Sequence, residues 1–346
     1  MTDSSLPSVA VAIVTFNSAR FIRHCLGYIF ESSYAPQEVI VIDNASADET
    51  AEILREFESR VRVVRNRENV GFAAAQNQAI ALSAAEWILT LNPDVRLTPD
   101  FIATLVAAAK AHPEVGTVCG KLLAIQPDFS IPQKLIFDST GIYFTPSLRH
   151  FDRGSKTPDD GRYERLEYVF GATGAAALYR RTMIEDISIS GEFFDSDFFA
   201  YREDADVAWR AQLLGWKCLY APPAVAYHVR SVLPSNRRSL PPLLNMHSVK
   251  NRFLMRVKNI TAPLYFRNFL AITVRDLLVI GACLTYEFTS LRAFPLVLRN
   301  LSRTWRKRRA LQRRRRATED YMAAWFSFEP VSYSAIDVTA KCESLC

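Results

Sequence analysis

Glycine is scarce at the front of this chain: of 12 glycines in 346 residues, none precedes Gly27. The turn after the first apolar run, within IVTFNSARF (Ile13–Phe21), therefore carries neither G-x-G-x-x-G nor G-x-x-x-x-G-K-[ST]. Both motifs use glycine to bring backbone amides against phosphate, so a dinucleotide fold of that kind and a P-loop are excluded. The six cysteines (Cys25, Cys119, Cys218, Cys283, Cys342, Cys346) include no C-x-x-C pair, and the five histidines form no tract beside them. That pattern argues against a disulfide framework or a zinc site and for reduced, structural thiols. Long apolar runs are missing too. Within the apolar segment Tyr265–Leu298 the longest uncharged core run, Leu277 to Tyr286, has ten residues, against the roughly 20 that a bilayer span needs. Val9–Val14 follows Asp3 and lacks the basic flank and cleavage site of a leader, so a cytoplasmic body is expected.

What is present is a globular composition, 49% hydrophobic and 23% charged, sufficient for one large α/β domain and an appendage. The net charge of +6 is unevenly spread. Residues 1–230 hold 22 Lys+Arg against 29 Asp+Glu, and residues 231–346 hold 20 against 7. The expected organisation is an acidic body over 1–230 and a basic, amphipathic helical region over 231–346. A basic region seeks an anionic partner. The apolar segment followed by RTWRKRRALQRRRR (Arg303–Arg316) predicts helices lying on an anionic membrane surface at the inner face of the cell membrane, each arginine contributing roughly 1 kcal/mol. A helical region packed on the body with one solvated basic face is the rival reading. Nucleic acid is disfavoured, because no recognition motif accompanies the charge.

Residues 8–120 alternate β-rich runs with helical patterns, which predicts a mostly parallel sheet flanked by helices. Strands are expected at Val9–Thr15, Glu38–Asp43, Val61–Arg65, Trp87–Leu91 and Val115–Cys119. Ser46-Ala47-Asp48-Glu49 reads as a capping box, and Thr98-Pro99-Asp100 as a cap residue followed by a proline at the first helical position. Ser147–Arg165 reads as a surface loop. A strand-like Gly174–Arg181 follows, then a helix over Glu203–Leu214 stopped by Gly215, and two short strands, Lys217–Tyr220 and Ala224–His228.

Without a glycine loop, a bound nucleotide needs its phosphates neutralised another way, most simply by a divalent metal held by acids. Three acid-bearing stretches follow apolar runs: VIVIDNAS with Asp43 and Asn44, LTLNPDV with Asn92 and Asp94, and YREDADVAWR with Glu203, Asp204 and Asp206. Ligands of open α/β sheets bind beyond the carboxyl ends of the strands, where Asp43 and Asp94 would converge. Any one of these acids alone is an ordinary turn or cap residue. Asp206 and Arg210 stand at i and i+4, which predicts a helix-face ion pair of a few tenths of a kcal/mol.

Five stretches in order, VAIVTFNS, VIVIDNAS, NVGFAAAQNQAI (Asn69–Ile80), LNPDV and FFAYREDADVAWRAQLLGW…APPAVAYH, resemble the inverting family 2 glycosyltransferases of the GT-A fold. The likeness covers Val9 to His228 and is nearest to the bacterial branch that includes rhamnosyltransferases. It implies that Thr15, Asn17, Asp43 and Asn44 line the nucleoside pocket, that Asn69, Gly71 and Asn77 form the loop and helix behind it, and that Asn92 lies on the donor side. Asp94 and His228 would hold Mg2+ or Mn2+ at the diphosphate, and Gly171 and Gly174 would shape the acceptor side. Asp204 stands at the position of the general base, with Glu203 as its neighbour. The resemblance also implies a dTDP- or UDP-linked sugar donor, rhamnose by branch, and a glycan or polyprenyl-linked acceptor of the cell envelope. Two positions depart from the family pattern: Asn92 replaces the first acid of a D-x-D, and Asn44 replaces an acid. The alternatives are a non-catalytic glycan- or membrane-binding scaffold and a sugar-phosphate nucleotidyltransferase. The first has no need of Asp43, Asp94, Asp204 and His228 together, and the second requires the glycine-rich loop that TFNSARF lacks.

Overall fold

The computed structural model describes residues 6–229 and 242–335. The expected boundary between residues 230 and 231 lies outside the described residues, as do Cys342 and Cys346. Cys25, Cys119, Cys218 and Cys283 are buried free thiols.

The first third alternates strands β1 (Val9–Thr15), β2 (Glu38–Asp43), β3 (Arg62–Arg65), β4 (Trp87–Leu91), β5 (Val95–Leu97) and β6 (Val115–Ala124) with helices α1 (Ala19–Phe30), α2 (Thr50–Arg55), α3 (Phe72–Ala81) and α4 (Phe101–Ala111). Short strands β7 (Phe137–Ser139), β8 (Ile142–Phe144), β9 (His150–Asp152) and β10 (Glu167–Val169) lead to β11 (Ala176–Arg180), α5 (Arg181–Ile187), α6 (Glu203–Leu213) and β12 (Lys217–His228). The C-terminal region contributes α7 (Pro242–Asn259), α8 (Ala262–Arg267), α9 (Phe269–Thr285), α10 (Ala293–Gln312), α11 (Glu319–Ala324) and β13 (Tyr333–Ser334).

The main sheet runs β13-β10-β12-β6-β11-β4-β1-β2-β3, with β5 and β7 attached to β12 and β6. Along this path only β10 and β11 oppose the common direction, so the sheet is mostly parallel. Alternate residues of one strand feed opposite cores: Val11 and Ile13 pack with Leu89 and Phe101, whereas Ala10 and Ala12 pack with Ile88 and Trp209. A strand buried on both faces needs apolar residues at every position, which is why VAVAIVT and VIVI read as continuous runs.

Several local expectations change. Glu49, not Ser46, precedes α2, and the Ser46 hydroxyl accepts from Asn17 N–H at 2.9 Å instead of capping the helix. Asp100 precedes α4, and Thr98 Oγ1 donates to the Val225 carbonyl at 2.7 Å, tying its turn to β12. The two expected closing strands are one strand with an irregularity between Ala221 and Val225. The expected loop at 147–165 contains β9, paired with β8, and the buried Arg153. Gly215 ends α6 as expected, at φ 81°.

The C-terminal helices share the core of the body. Leu254, Met255, Ile260, Leu264, Leu311 and Met322 belong to the same apolar cluster as Tyr179 and Trp209. Phe326 stacks 5.1 Å from Trp209 and 5.5 Å from Phe144. Among the described residues no single helix is long and apolar enough to cross a membrane; only α9 taken with residues 288–312, bent by 116°, passes that test as a pair. Much of the basic charge is answered internally. Lys307 binds Glu192, Asp195 and Asp197, Arg303 binds Asp197, and Arg314 and Arg316 bind Asp186. Much of the acidic excess of the body and of the basic excess of the tail therefore meets across a single interface.

Candidate active site

Strand register brings the first pair of candidate residues together. Residue His228 at the end of β12 lies opposite Val95 of β5, the residue after Asp94, and Val229 N–H donates to the Asp94 carbonyl at 3.0 Å. His228 Nε2 is consequently 3.3 Å from Asp94 Oδ1, while its Nδ1 is 2.9 Å from Asp138 Oδ2. Burial opposes charge on this ring, but the Asp138 and Asp94 carboxylates outweigh it and hold its pKa up at about 10.

Antiparallel β11 supplies the second pair. Because β11 runs against β4, its start lies beside the end of β4, and Asn92 N–H donates to the Ala175 carbonyl at 2.9 Å. At the neighbouring Gly174 the N–H points outward and donates to Asp204 Oδ2 at 3.0 Å, while Ala205 N–H donates to Oδ1 at 2.7 Å. Glu203 and Asp204 occupy the first turn of α6, the positive end of its dipole. Burial, followed by the charge of Asp204, pushes Glu203 up to about 8, and its Oε2 is buried without a hydrogen-bond partner. Burial also raises Asp204, against the two N–H groups that favour its anion. Glu203 therefore keeps its proton near neutrality, while the Gly174 and Ala205 N–H groups favour the anion at Asp204.

Asn92, Asp94, Gly174, Glu203, Asp204 and His228 line one cavity of about 790 Å³. The remaining candidates stand elsewhere. Thr15 and Asp43 are register partners at the ends of β1 and β2. Asp43 Oδ1 accepts from Ser46 N–H at 3.1 Å, whereas Oδ2 is buried with no hydrogen bond, 3.3 Å from Arg65 Nε. Asn17 braces the same turn through its Oδ1, which accepts from Ala47 N–H at 2.8 Å.

Three asparagines expected at or behind the nucleoside pocket make side-chain contacts within the protein. Asn44 Nδ2 donates to Asn69 Oδ1 at 2.8 Å and Asn44 Oδ1 accepts from Val70 N–H at 3.1 Å, so this pair holds the loop before α3. Asn77 exchanges two hydrogen bonds with the Phe194 backbone, at 2.7 and 2.9 Å, and ties α3 to the segment leading into α6. Two glycines are required by packing. A Cβ on Gly71, at φ 88°, would lie 2.6 Å from Phe199, and one on Gly171 would lie 2.2 Å from the Ala208 side chain on α6. The Asp206–Arg210 pair is not a surface pair: Asp206 is fully buried and also accepts from Lys258 and Asn259 of α7.

Sequence reasoning missed what α7 contributes. Asn251 Nδ2 lies 2.8 Å from each of the Phe198, Ala200 and Tyr201 carbonyls. These residues border Phe199, Tyr201 and Arg202, which hold φ of 65°, 70° and 71° immediately before Glu203. Asn251, Lys258 and Asn259 stand at i, i+7 and i+8, one helix face. That spacing of two amides and a lysine was the available signal, hidden inside what reads as a generic basic tail.

Asp94 and His228 would suit a divalent cation that displaces the Nε2 proton of the imidazole, since a ligating ring must be neutral. One carboxylate and one imidazole, the latter oriented from behind by Asp138, leave room in the coordination sphere for phosphate oxygens. Among the described residues no group of three or more His, Cys, Asp or Glu side chains could hold an ion without such outside ligands.

The family model described as Glycosyl transferase family 2 matches residues 10–188. The N-acetylglucosaminyl-diphospho-decaprenol L-rhamnosyltransferase of Mycobacterium tuberculosis is 28% identical over 252 residues, 66% of this chain and 76% of that protein. Among solved structures, GalNAc-T7 with UDP, GalNAc and Mn2+ shares the fold with a TM-score of 0.58 at 16% identity, over 74% of this chain and 48% of that one. The mannosyltransferase PcManGT from Pyrobaculum calidifontis, in complex with GDP-Man and Mn2+, gives 0.51 at 19% identity, over 90% and 86%.

Proposed function

The chain belongs to glycosyl transferase family 2, and from that premise we propose that it moves a sugar from a nucleoside-diphosphate donor to a hydroxyl of a lipid-linked acceptor, in one step with inversion. The observation that carries this reading is the placement of Asp204. It is held by the Gly174 and Ala205 N–H groups and opens on the cavity that also takes Asp94 and His228.

In this reading Asp204 takes the proton of the acceptor hydroxyl as that oxygen bonds to the anomeric carbon. The bond from that carbon to the diphosphate breaks on the opposite side, and the nucleoside diphosphate leaves with the electron pair. Glu203, protonated beside it, keeps a second anion away from the nucleophile. Asp94 and His228 would hold Mg2+ or Mn2+, which when bound offsets the diphosphate charge. Asp43 would accept from the imide N–H of uracil or thymine, and so select a UDP- or dTDP-linked donor, by exchanging the Arg65 ion pair at its Oδ2 for the base. Rhamnose and a diphospho-polyprenol acceptor are what the mycobacterial relative's name states.

A membrane surface is the proposed setting, at the inner face of the cell membrane. Its support is an apolar exposure on α9 and α10 that includes Leu270, Leu278, Leu298 and Trp305, next to the exposed Arg299, Arg306 and Arg309. The test is a donor screen with purified protein, a polyprenyl-diphosphate-linked N-acetylglucosamine and Mg2+ or Mn2+, with and without chelator. Nucleoside diphosphate release from one donor, dependent on acceptor, is expected; no release from any donor overturns the reading.

A further inference from the structure

Part of the cavity wall, beside Asp152 of β9, is cationic, and the proposed transfer step does not use it. Four separate segments build it: Arg149 and His150 at the β8–β9 hairpin, Arg202 before α6, Arg252 on α7 and Arg275 on α9. His150 registers the local potential. Desolvation, followed by the charges of Arg202, Arg149 and Arg252, holds its ring well below the ordinary histidine pKa.

Two of these arginines are anchored by protein acceptors. Arg202 Nε donates to the Ser248 carbonyl at 3.0 Å, and Arg252 Nη2 to Asp276 at 3.1 Å and the Ser147 carbonyl at 3.3 Å. Arg275 differs: its Nε is buried without a hydrogen bond, and no ion pair reaches its guanidinium among the described residues. A buried guanidinium N–H without an acceptor is unfavourable, and an anion satisfies it.

Helix α9 is a partition. Arg275 and Val279, one turn apart, face the cavity. Leu270, Val274, Leu277 and Leu278, spaced i, i+4, i+7 and i+8, are each at least 50% exposed on another face. Cation and apolar stripe thus lie on two sides of one helix, which is the arrangement a ligand with an anionic head and an apolar tail would match. In the proposed reading the donor diphosphate is served by Asp94 and His228, which leaves the arginines for a second anion.

We infer that the Arg149, Arg202, Arg252 and Arg275 wall binds the diphosphate of a polyprenyl-linked acceptor, whose isoprenoid chain leaves over the apolar stripe of α9. The inference rests on the lipid-linked-acceptor reading above. Guanidinium groups match phosphate oxygens two at a time, so the wall fixes the head of the acceptor and sends its sugar toward Asp204.

Calorimetric titration of the full chain tests this, with farnesyl diphosphate, inorganic pyrophosphate and, in Mg2+, UDP and dTDP as probes. The intact protein should bind farnesyl diphosphate more tightly than pyrophosphate. Arg275→Met should weaken farnesyl diphosphate by about tenfold or more while leaving the nucleotides unchanged. Leu277→Ser/Leu278→Ser, at exposed positions, should bring farnesyl diphosphate down to the pyrophosphate level, and this arm stands even if Arg275→Met does not fold. Equal binding of pyrophosphate and farnesyl diphosphate by the intact protein would mean a site for free phosphate and overturn the lipid assignment. Equal loss of nucleotide and farnesyl diphosphate in Arg275→Met would assign the wall to the donor and overturn it too, as would no loss at all. Failure of the glycosyltransfer reading shows elsewhere, as absence of nucleoside diphosphate release from any donor.

Discussion

Lys258, near the end of α7, puts its Nζ 2.9 Å from the carboxylate of Asp206, which stands two residues past Asp204 on α6. Both side chains are buried, and Asp195 shares the same ammonium. Arg210 and Lys307 still face the two carboxylates once Lys258 is removed, so the loss stays below the ~3–5 kcal/mol of a fully uncompensated buried charge, at about 1–3 kcal/mol. Lys258→Met should therefore lower the unfolding free energy by about that amount in urea titration. An unchanged midpoint and slope would show that α7 does not support α6.

Asn251 makes a second, more local prediction. Its amide gathers three carbonyls of the segment in which Phe199, Tyr201 and Arg202 have positive φ, and each such residue costs about 1–3 kcal/mol to hold. Asn251→Ala should release the segment and let Glu203 and Asp204 drift from Gly174. The expected result is a drop in kcat of about 10- to 100-fold with nucleotide affinity preserved. A variant with unaltered kcat would assign Asn251 to packing alone.

Glu203 makes stability depend on pH in an unusual sense. Its pKa rises from 4.5 to about 8 on folding, so the folded state binds more protons than the unfolded state between these values. Its contribution is complete below about pH 4.5 and is lost as pH rises through about 8. Glu203→Gln should remove that downward slope and leave the protein more stable than the parent at pH 8. Thermal unfolding of both proteins from pH 5 to pH 9 checks this, and parallel curves would contradict it.

Asp204→Asn keeps the shape of the side chain and removes the base. Transfer should fall by about 10²- to 10⁴-fold, while UDP or dTDP binding, read by calorimetry, should stay as in the parent. A variant that turned over normally would move the base elsewhere, Glu203 being the nearest carboxyl.

The exposed apolar residues of α9 and α10, with Arg299, Arg306 and Arg309 beside them, predict binding to anionic vesicles. Co-sedimentation at low salt should be followed by partial release at high salt, because screening weakens the arginine contribution and leaves the apolar one. Recovery in the supernatant at both salt concentrations would leave the stripe without a membrane role.

The strands, their order of appearance and the acids at or just after the ends of β2 and β4 were legible because they rest on local patterns. VAVAIVT, VIVI and WILTL are apolar at every position but Thr15 and Thr90, and that is what burial on both faces of a parallel sheet requires. Asp94, Glu203, Asp204 and His228 were legible as candidates for a related reason, since the first and last stand at or just after strand ends and the other two at a helix start. The protein contacts of Asn44, Asn69 and Asn77 were not legible. An asparagine that reaches a ligand and one that reaches a backbone carbonyl look alike in sequence, and here Phe194, 117 residues away from Asn77, decides the matter.

By itself the sequence determined the alternation of strands and helices, the absence of a glycine phosphate loop and the carboxylates at strand and helix ends, because periodicity and turn chemistry are properties of neighbours along the chain. Only the tertiary structure decided that the basic C-terminal region is built into the body. Lys258 finding Asp206, and Lys307 finding Asp195, are contacts between residues 52 and 112 positions apart. Charge counted along a sequence carries a sign but no address, and the address comes from the packing of α7 and α10 against the segment from Asp195 to Asp206.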